Sequence, residues 1–276
     1  MRQARLERWL WGLGGAAVVV QALLPVAWLL SLSLKPPGEL AEGRFLPRAP
    51  SFAAYRAIFE EEQFRAALVN SIGIASLATA LAIGLALFAA YAIARLDFPG
   101  RSGLLVGALA VSLFPPIALV GPLFDLWREV GLFDSLAGLV IPYMTFTLPL
   151  AIWILSAFLR DVPWELADAA ILDGATRLQA FRHVLLPLAA PGVFAAAILV
   201  FVFAWNDFLF AISLTSTDRA RTVPAALAFF SAEARFQQPT GLVAAASIVV
   251  TIPVVAVVVA FQRRIVAGLT SGAVKG

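Results

Sequence analysis

The sequence predicts an all-α integral membrane protein with six transmembrane helices, and three observations carry that expectation. Of the 276 residues, 61% are hydrophobic and only 13% charged, against about 25% charged in soluble domains. Six apolar runs are each long enough to cross roughly 30 Å of hydrocarbon, which takes about 20 residues of helix. The polar stretches fall between these runs, the most distinctive at 160–191.

The runs are Leu10 to Leu34, Ala67 to Ala94, Leu104 to Leu126, Leu136 to Phe158, Gly192 to Leu214 and Leu242 to Phe261. The first follows Arg2, Arg5 and Arg8, as a signal peptide would. It is too long for a signal h-region and lacks a small-residue cleavage site, so it is expected to be a retained span. The resulting division is 1–34 for an N-terminal segment and first helix, 35–66 for an extracytoplasmic loop, 67–262 for a five-helix core including the loop 160–191, and 263–276 for a C-terminal tail. Pro115, Pro116 and Pro122 interrupt the third run, Pro142 and Pro149 the fourth, and Pro253 the sixth. Each removes a helical hydrogen bond and favours a kink. Kinks suit a protein that opens and closes, although neighbours satisfy the freed groups in many membrane helices. Gly103 and Gly107 have the spacing that permits close helix approach.

Composition also excludes functions. Without cysteine there is no disulfide, thiolate metal site or cysteine nucleophile. The single His183 lies in the polar loop, where it reads as a surface or docking residue, and no metal site is expected. The pI of 9.8 reflects 20 basic against 17 acidic residues. These form no dense basic patch between aromatic residues, so no nucleic-acid partner is expected.

Orientation follows from Lys and Arg beside the spans. Five of the basic residues that an inside N-terminus would place outside, Lys35, Arg44, Arg48, Arg56 and Arg65, lie in one long loop that also carries Glu39, Glu42, Glu60, Glu61 and Glu62. Discounting that loop puts both termini and the 160–191 segment in the cytoplasm. Within the segment, Asp161 and Pro163 resemble a helix start. Gly174, free to adopt positive φ, ends that helix. Thr176 and Gln179 have the spacing of a capping box for a second helix, on which Leu178, Phe181 and Leu185 share a face. The expected product is a helix–turn–helix under the membrane. Small residues at Ala167, Ala169 and Ala170 fit a partner's groove, and Asp168 can pair with a basic residue or amide at its edge. The plainer alternative is an interfacial hairpin with a solvated charged face.

The run Asp168-Ala169-Ala170, with Asp173-Gly174-Ala175, Phe181, Leu186-Pro187 and Pro191, resembles the signature cytoplasmic loop of membrane subunits in bacterial ATP-binding-cassette (ABC) importers. Asp168 stands where that family usually has glutamate, which keeps the charge and shortens the reach. The resemblance implies a type I importer permease fold with a coupling helix between spans four and five, in the bacterial cytoplasmic (inner) membrane. Asp168, Ala169, Ala170, Asp173 and Gly174 would contact a separate ATPase. The chain would bind no cofactor, with ATP and Mg on that ATPase, and would catalyse no covalent chemistry. Implied partners are a second homologous permease subunit, two ATPase copies, an extracytoplasmic sugar-binding protein and the lipid bilayer.

Asn70-Ser71, the run from Ala89 to Gly100, Ala204 to Phe208 and the tail Gly268 to Gly276 are similar to the carbohydrate branch of the family, the tail most closely to trehalose-type and maltose-type second membrane subunits. The resemblance implies that the tail, through Thr270, Ser271 and Lys275, touches the ATPases. It also implies that the outer segment 216–239, with Arg219, Arg221, Phe229, Phe230 and Gln237, probes the binding protein. Trp205, Asn206, Asp207 and Phe208 have the chemistry of a sugar pathway, since sugars use hydrogen bonds and aromatic stacking, and a carboxylate at membrane depth is a functional candidate. Asp207 could equally lie in water near the outer end of its span, or hold helices together. Trehalose is the favoured cargo, with maltose or sucrose as alternatives. Two other classes compete: a secondary transporter, which predicts intramembrane titratable relays and inverted repeats, and an ABC permease for a non-sugar solute. Only Asp125 and Asp207 lie at membrane depth, and no repeat is evident.

Overall fold

The computed structural model describes residues 2–233 and 240–273, with side chains at 9–229 and 240–262. Among the described residues the secondary structure is entirely helical. The chain divides into two compact units, residues 1–65 with 226–253, and residues 66–225 with 254–276.

The first unit begins with α1 (Arg2–Ser33), which contains Pro25. Trp9, Trp11, Leu13 and Val18 to Val20 are exposed along it, as lipid-facing residues should be. The predicted outer loop that follows is built rather than loose. Ser33 Oγ donates to Leu30 O at 2.7 Å and shares a 2.7 Å hydrogen bond with the Tyr55 hydroxyl. Lys35 is buried, donates to Arg44 O and lies 4.8 Å from the Trp28 ring centroid. A 3-10 turn at Pro37–Glu42 and α2 (Ala53–Glu60) complete it.

The second unit holds most of α3 (Glu62–Arg95), then α4 (Arg101–Ser112), α5 (Ile117–Glu129), α6 (Leu136–Arg160), α7 (Glu165–Leu172), α8 (Arg177–Ala180), α9 (Leu186–Asn206) and α10 (Leu209–Leu214). Its core interleaves Ala82, Ala86 and Ala90 of α3 with Ala151, Leu155 and Leu159 of α6 and Ala189, Ala196 and Val200 of α9. Small side chains let these backbones approach closely, the usual substitute for hydrophobic driving force between membrane helices. One close approach in this core is at Gly192, where a Cβ would lie 2.3 Å from Phe158 Cγ. At Gly103 and Gly107 a Cβ would meet nothing within 4 Å, so that pair mediates no close approach among the described residues.

Five helices are long and apolar enough to cross a membrane, and α4 with α5 make a sixth span if counted as one bent pair. That pair turns through 87° at its break, so the third predicted span is interrupted rather than mildly kinked. Pro115 and Pro116 account for it: neither offers an N–H, and each disfavours helical backbone at the residue before it. The fifth predicted span differs at both ends. Its helix begins at Arg177 and runs 30 residues to Asn206, through a π turn at Phe181–Leu185, and the chain then breaks before α10. The second arm of the predicted helix–turn–helix is therefore the start of a membrane-length helix. The predicted outer segment contains α11 (Val223–Glu233), and α12 (Thr240–Ala273) continues past Phe261 through most of the predicted tail. Gln237 and Lys275 lie outside the described residues, as do the side chains of Phe230, Thr270 and Ser271.

Candidate functional site

The polar connection between α6 and α9 is organised by local capping. Asp161 ends α6, its N–H bonded to Phe158 O at 3.2 Å. The first short helix starts at Glu165, beyond the Asp161–Pro163 start expected from sequence, with Glu165 and Asp168 in its first turn, where acids complement the exposed N–H groups. It closes in a Schellman motif: Gly174 N–H bonds Ile171 O and Ala175 N–H bonds Ala170 O, each at 3.0 Å, with Gly174 at φ 95°. A Cβ at Gly174 would meet nothing within 4 Å, so backbone conformation alone selects glycine. Thr176 and Gln179 form the capping box, with Thr176 N–H to Gln179 Oε1 at 2.8 Å and Gln179 N–H to Thr176 Oγ1 at 3.3 Å.

This geometry sorts the loop into two faces. Val162, Ala167, Ala180 and Leu185 are buried in a small core with Tyr91, Trp164, Ala170 and Phe181. Ala167 is thus turned into its own subunit, only 4% exposed. Leu185 and Phe181 join that core, whereas Leu178, in the first turn of α8, stays outside it at 67% exposure. Ala169 and Asp173 are exposed, and Leu172 stands out at 88%. His183 is exposed too, its Nδ1 3.1 Å from Gln179 O. Among the described residues no cluster of His, Asp or Glu could hold a metal.

Asp168 is already engaged. Arg95 Nη2, from the last turn of α3, donates to Asp168 Oδ1 at 2.5 Å, and the Arg95 guanidinium lies 5.1 Å from the Trp164 ring centroid. Tyr91 meets the rings of both Trp164 and Phe181 edge-on, and Phe88 stacks on Phe181. The end of α3 therefore clasps both arms of the loop. In the sequence, the signal for this clasp is a basic residue closing a span beside aromatic positions.

The fifth-span candidates do not converge. Trp205 is 2% exposed and stacks on Phe201 at 5.7 Å. Asn206 is exposed and donates to Val202 O at 2.7 Å, ending α9. Asp207 has extended backbone, and its Oδ2 accepts Ala211 N–H at 3.1 Å, so it caps α10. Phe208 is exposed. The Tyr143 hydroxyl of α6 is buried near Asp207 without forming a hydrogen bond of good geometry.

At the other ends of the spans, Asp134 organises the segment that follows α10. It has φ 55°, its Oδ1 accepts the N–H groups of Ser216 and Thr217 at 3.0 and 3.1 Å, and its Oδ2 accepts the Thr217 hydroxyl at 2.5 Å. Burial works against its charge, but the Thr217 hydroxyl, the two amides and nearby Arg219 outweigh burial and hold its carboxyl below the usual range. Asn70 Nδ2 donates to the carbonyls of Asp218 and Arg221 at 2.9 and 3.1 Å, and Ser71 Oγ accepts Val223 N–H at 2.8 Å. Arg221 Nη1 pairs with Asp218 at 3.0 Å.

Comparison with known proteins places this architecture. Residues 82–271 match the family described as the binding-protein-dependent transport system inner membrane component. The chain is 55% identical to the trehalose transport system permease protein SugB of Mycobacterium tuberculosis over 266 residues, 96% of this chain and 97% of that one. It is 39% identical to the sulfoquinovosyl glycerol transport system permease protein SmoH of Agrobacterium fabrum over 96% of this chain and 93% of that one. It is 37% identical to the trehalose/maltose transport system permease protein MalG of Thermococcus litoralis over the full length of both. A chain in the crystal structure of a bacterial ABC transporter involved in import of the acidic polysaccharide alginate shares the fold, with a TM-score of 0.80 over 95% of this chain and 98% of that one at 22% identity. The chain belongs to the binding-protein-dependent transport system inner membrane component family, as a non-enzymatic permease subunit of an ABC importer.

Proposed function

We propose that this subunit forms half of the membrane pathway of an ATP-driven sugar importer whose cargo is trehalose. It would pair with a second homologous permease, two ABC ATPase subunits and an extracytoplasmic sugar-binding protein, with its termini and the 160–191 loop in the cytoplasm. ATP and Mg would sit on the ATPases. The observation that carries the cargo assignment is the 55% identity to a trehalose permease over nearly the whole chain, supported by the trehalose/maltose relative at 37%.

Asp168, Ala169, Ala170, Asp173 and Gly174 would dock the ATPase, with exposed Leu172 and Leu178 as apolar anchors. An apolar residue as exposed as Leu172 on a rigid, capped turn is the mark of a contact surface. ATPase closure would push α7, and the Arg95 clasp would pass that displacement to α3. Thr270 and Ser271 of α12, with Lys275 further along the sequence, would add a second ATPase contact. In the pathway, exposed Asn206 and Phe208 are the residues available to a sugar, while Trp205 and Asp207 would hold the break in the fifth span.

The test is to copurify the tagged chain with its partners and screen trehalose, maltose, sucrose and non-sugar solutes for stimulation of ATP hydrolysis. Trehalose should give the largest response in the presence of the binding protein. Absence of an ATPase partner, or stimulation by a non-sugar solute alone, would refute the reading.

A further inference from the structure

We propose that a cavity between the ends of α3, α4 and α6 binds the phosphate of an anionic membrane lipid. Ile93 and Ala94 from the last turn of α3, Arg101 and Ser102 from the start of α4 and Arg160 from the end of α6 line an open cleft of about 360 Å³. Three properties of this lining point to an amphipathic anion.

The first is charge. Arg101 Nη1 bonds Asp97 Oδ1 at 2.5 Å and reaches Leu96 O at 3.3 Å, so one guanidinium is already matched. Arg160 has no ion pair among the described residues. The cavity thus carries about one uncompensated positive charge, the complement of a phosphodiester, which guanidinium groups bind through charge-assisted hydrogen bonds. The Ser102 hydroxyl adds a neutral donor. The second is the aliphatic margin of Ala94 and the edge of the buried Ile93, small beside the polar lining, which can touch a glycerol backbone and offers nothing to free inorganic phosphate. The third is position. The cavity sits at the ends of three apolar helices, and basic pockets between spans on the cytoplasmic side, where the proposed orientation puts it, bind anionic headgroups.

The inference rests on the cytoplasmic placement of these helix ends proposed above, and is independent of the trehalose assignment. The purified importer complex is incubated with vesicles of equal phosphatidylglycerol and phosphatidylcholine, then transferred to detergent, and retained lipid is counted by native mass spectrometry. Phosphatidylglycerol should be retained over phosphatidylcholine, and the Arg101→Gln/Arg160→Gln double variant should lose about fivefold of the retained phosphatidylglycerol. Arg160→Gln alone, at an exposed and unpaired side chain, should lose about twofold without touching the core and serves if the double variant does not assemble. Equal retention of the two lipids, or of phosphatidylglycerol by wild type and variants, would overturn the proposal. So would displacement of the lipid by low-millimolar inorganic phosphate, which would make this a free-phosphate site.

Discussion

Arg95 and Asp168, 73 positions apart in sequence, form a 2.5 Å ion pair that joins the last turn of the second span to the first turn of α7. Their side chains are 37% and 49% exposed, and exposed pairs are worth only about 0.2–1 kcal/mol. The pair is therefore a poor stability device and a good positional one. Arg95→Ala should leave the subunit folded and assembled while lowering transport per ATP hydrolysed severalfold. A lysine at 95 should rescue only in part, since it lacks the planar group that stacks on Trp164. The check is the ratio of uptake to hydrolysis in proteoliposomes. A fall in assembled protein that matches the fall in uptake would mean the pair is merely structural.

Gly174 separates backbone from bulk. Its φ of 95° strains any side chain while the surrounding space is open. Gly174→Val should cost about 1–2 kcal/mol locally and distort the turn, whereas Gly174→Asn, which tolerates left-handed backbone, should retain most uptake. Equal damage from the two would mean that space rather than conformation matters there.

Gly192 poses the opposite problem. A Cβ would lie 2.3 Å from Phe158 Cγ in the α6–α9 interface, and overpacking costs about 1–3 kcal/mol. Gly192→Ala should reduce folded subunit in the membrane, measured by size-exclusion fluorescence, and Phe158→Ala should restore it. Failure of that second change to rescue would place the strain elsewhere.

Asp134 predicts a pH response. Its carboxyl is held below the usual range, so its stabilisation is complete above the unfolded value near 4 and is lost as pH falls through the lower folded value. Protection of the Ser216 and Thr217 amides, taken as exchange relative to the intrinsic rate at each pH, should fall below about pH 4 in the wild type. Asp134→Asn, which keeps the left-handed backbone but removes the charge, should exchange faster at neutral pH and show no such step. An unchanged step in the variant would assign it to another group.

What the sequence made legible was local. Gly174, Thr176 and Gln179 announce their turn and cap because those signals act within a few residues. The Pro115–Pro116 pair announced the break, but two prolines do not by themselves specify its 87° angle. Arg95 could not be paired with Asp168, nor Gly192 with Phe158, because tertiary contact sets those relationships and leaves no periodicity behind. The fifth span ended early for a related reason: Asp207 finds its hydrogen bond at Ala211 N–H, and capping α10 satisfies the carboxylate better than continuing a helix would. The tail's polar composition concealed the continuation of α12 to Ala273.

The most direct test of the central claim, that this chain couples ATP hydrolysis to trehalose import through its polar loop, is uptake of labelled trehalose by proteoliposomes of the complete importer, with ATP consumption followed in parallel. Wild-type complex should accumulate trehalose in step with binding-protein-stimulated hydrolysis, and Gly174→Val complex should hydrolyse ATP at its basal rate with uptake lost. Undiminished trehalose uptake by the Gly174→Val complex, or no trehalose uptake by the wild type, would contradict the account.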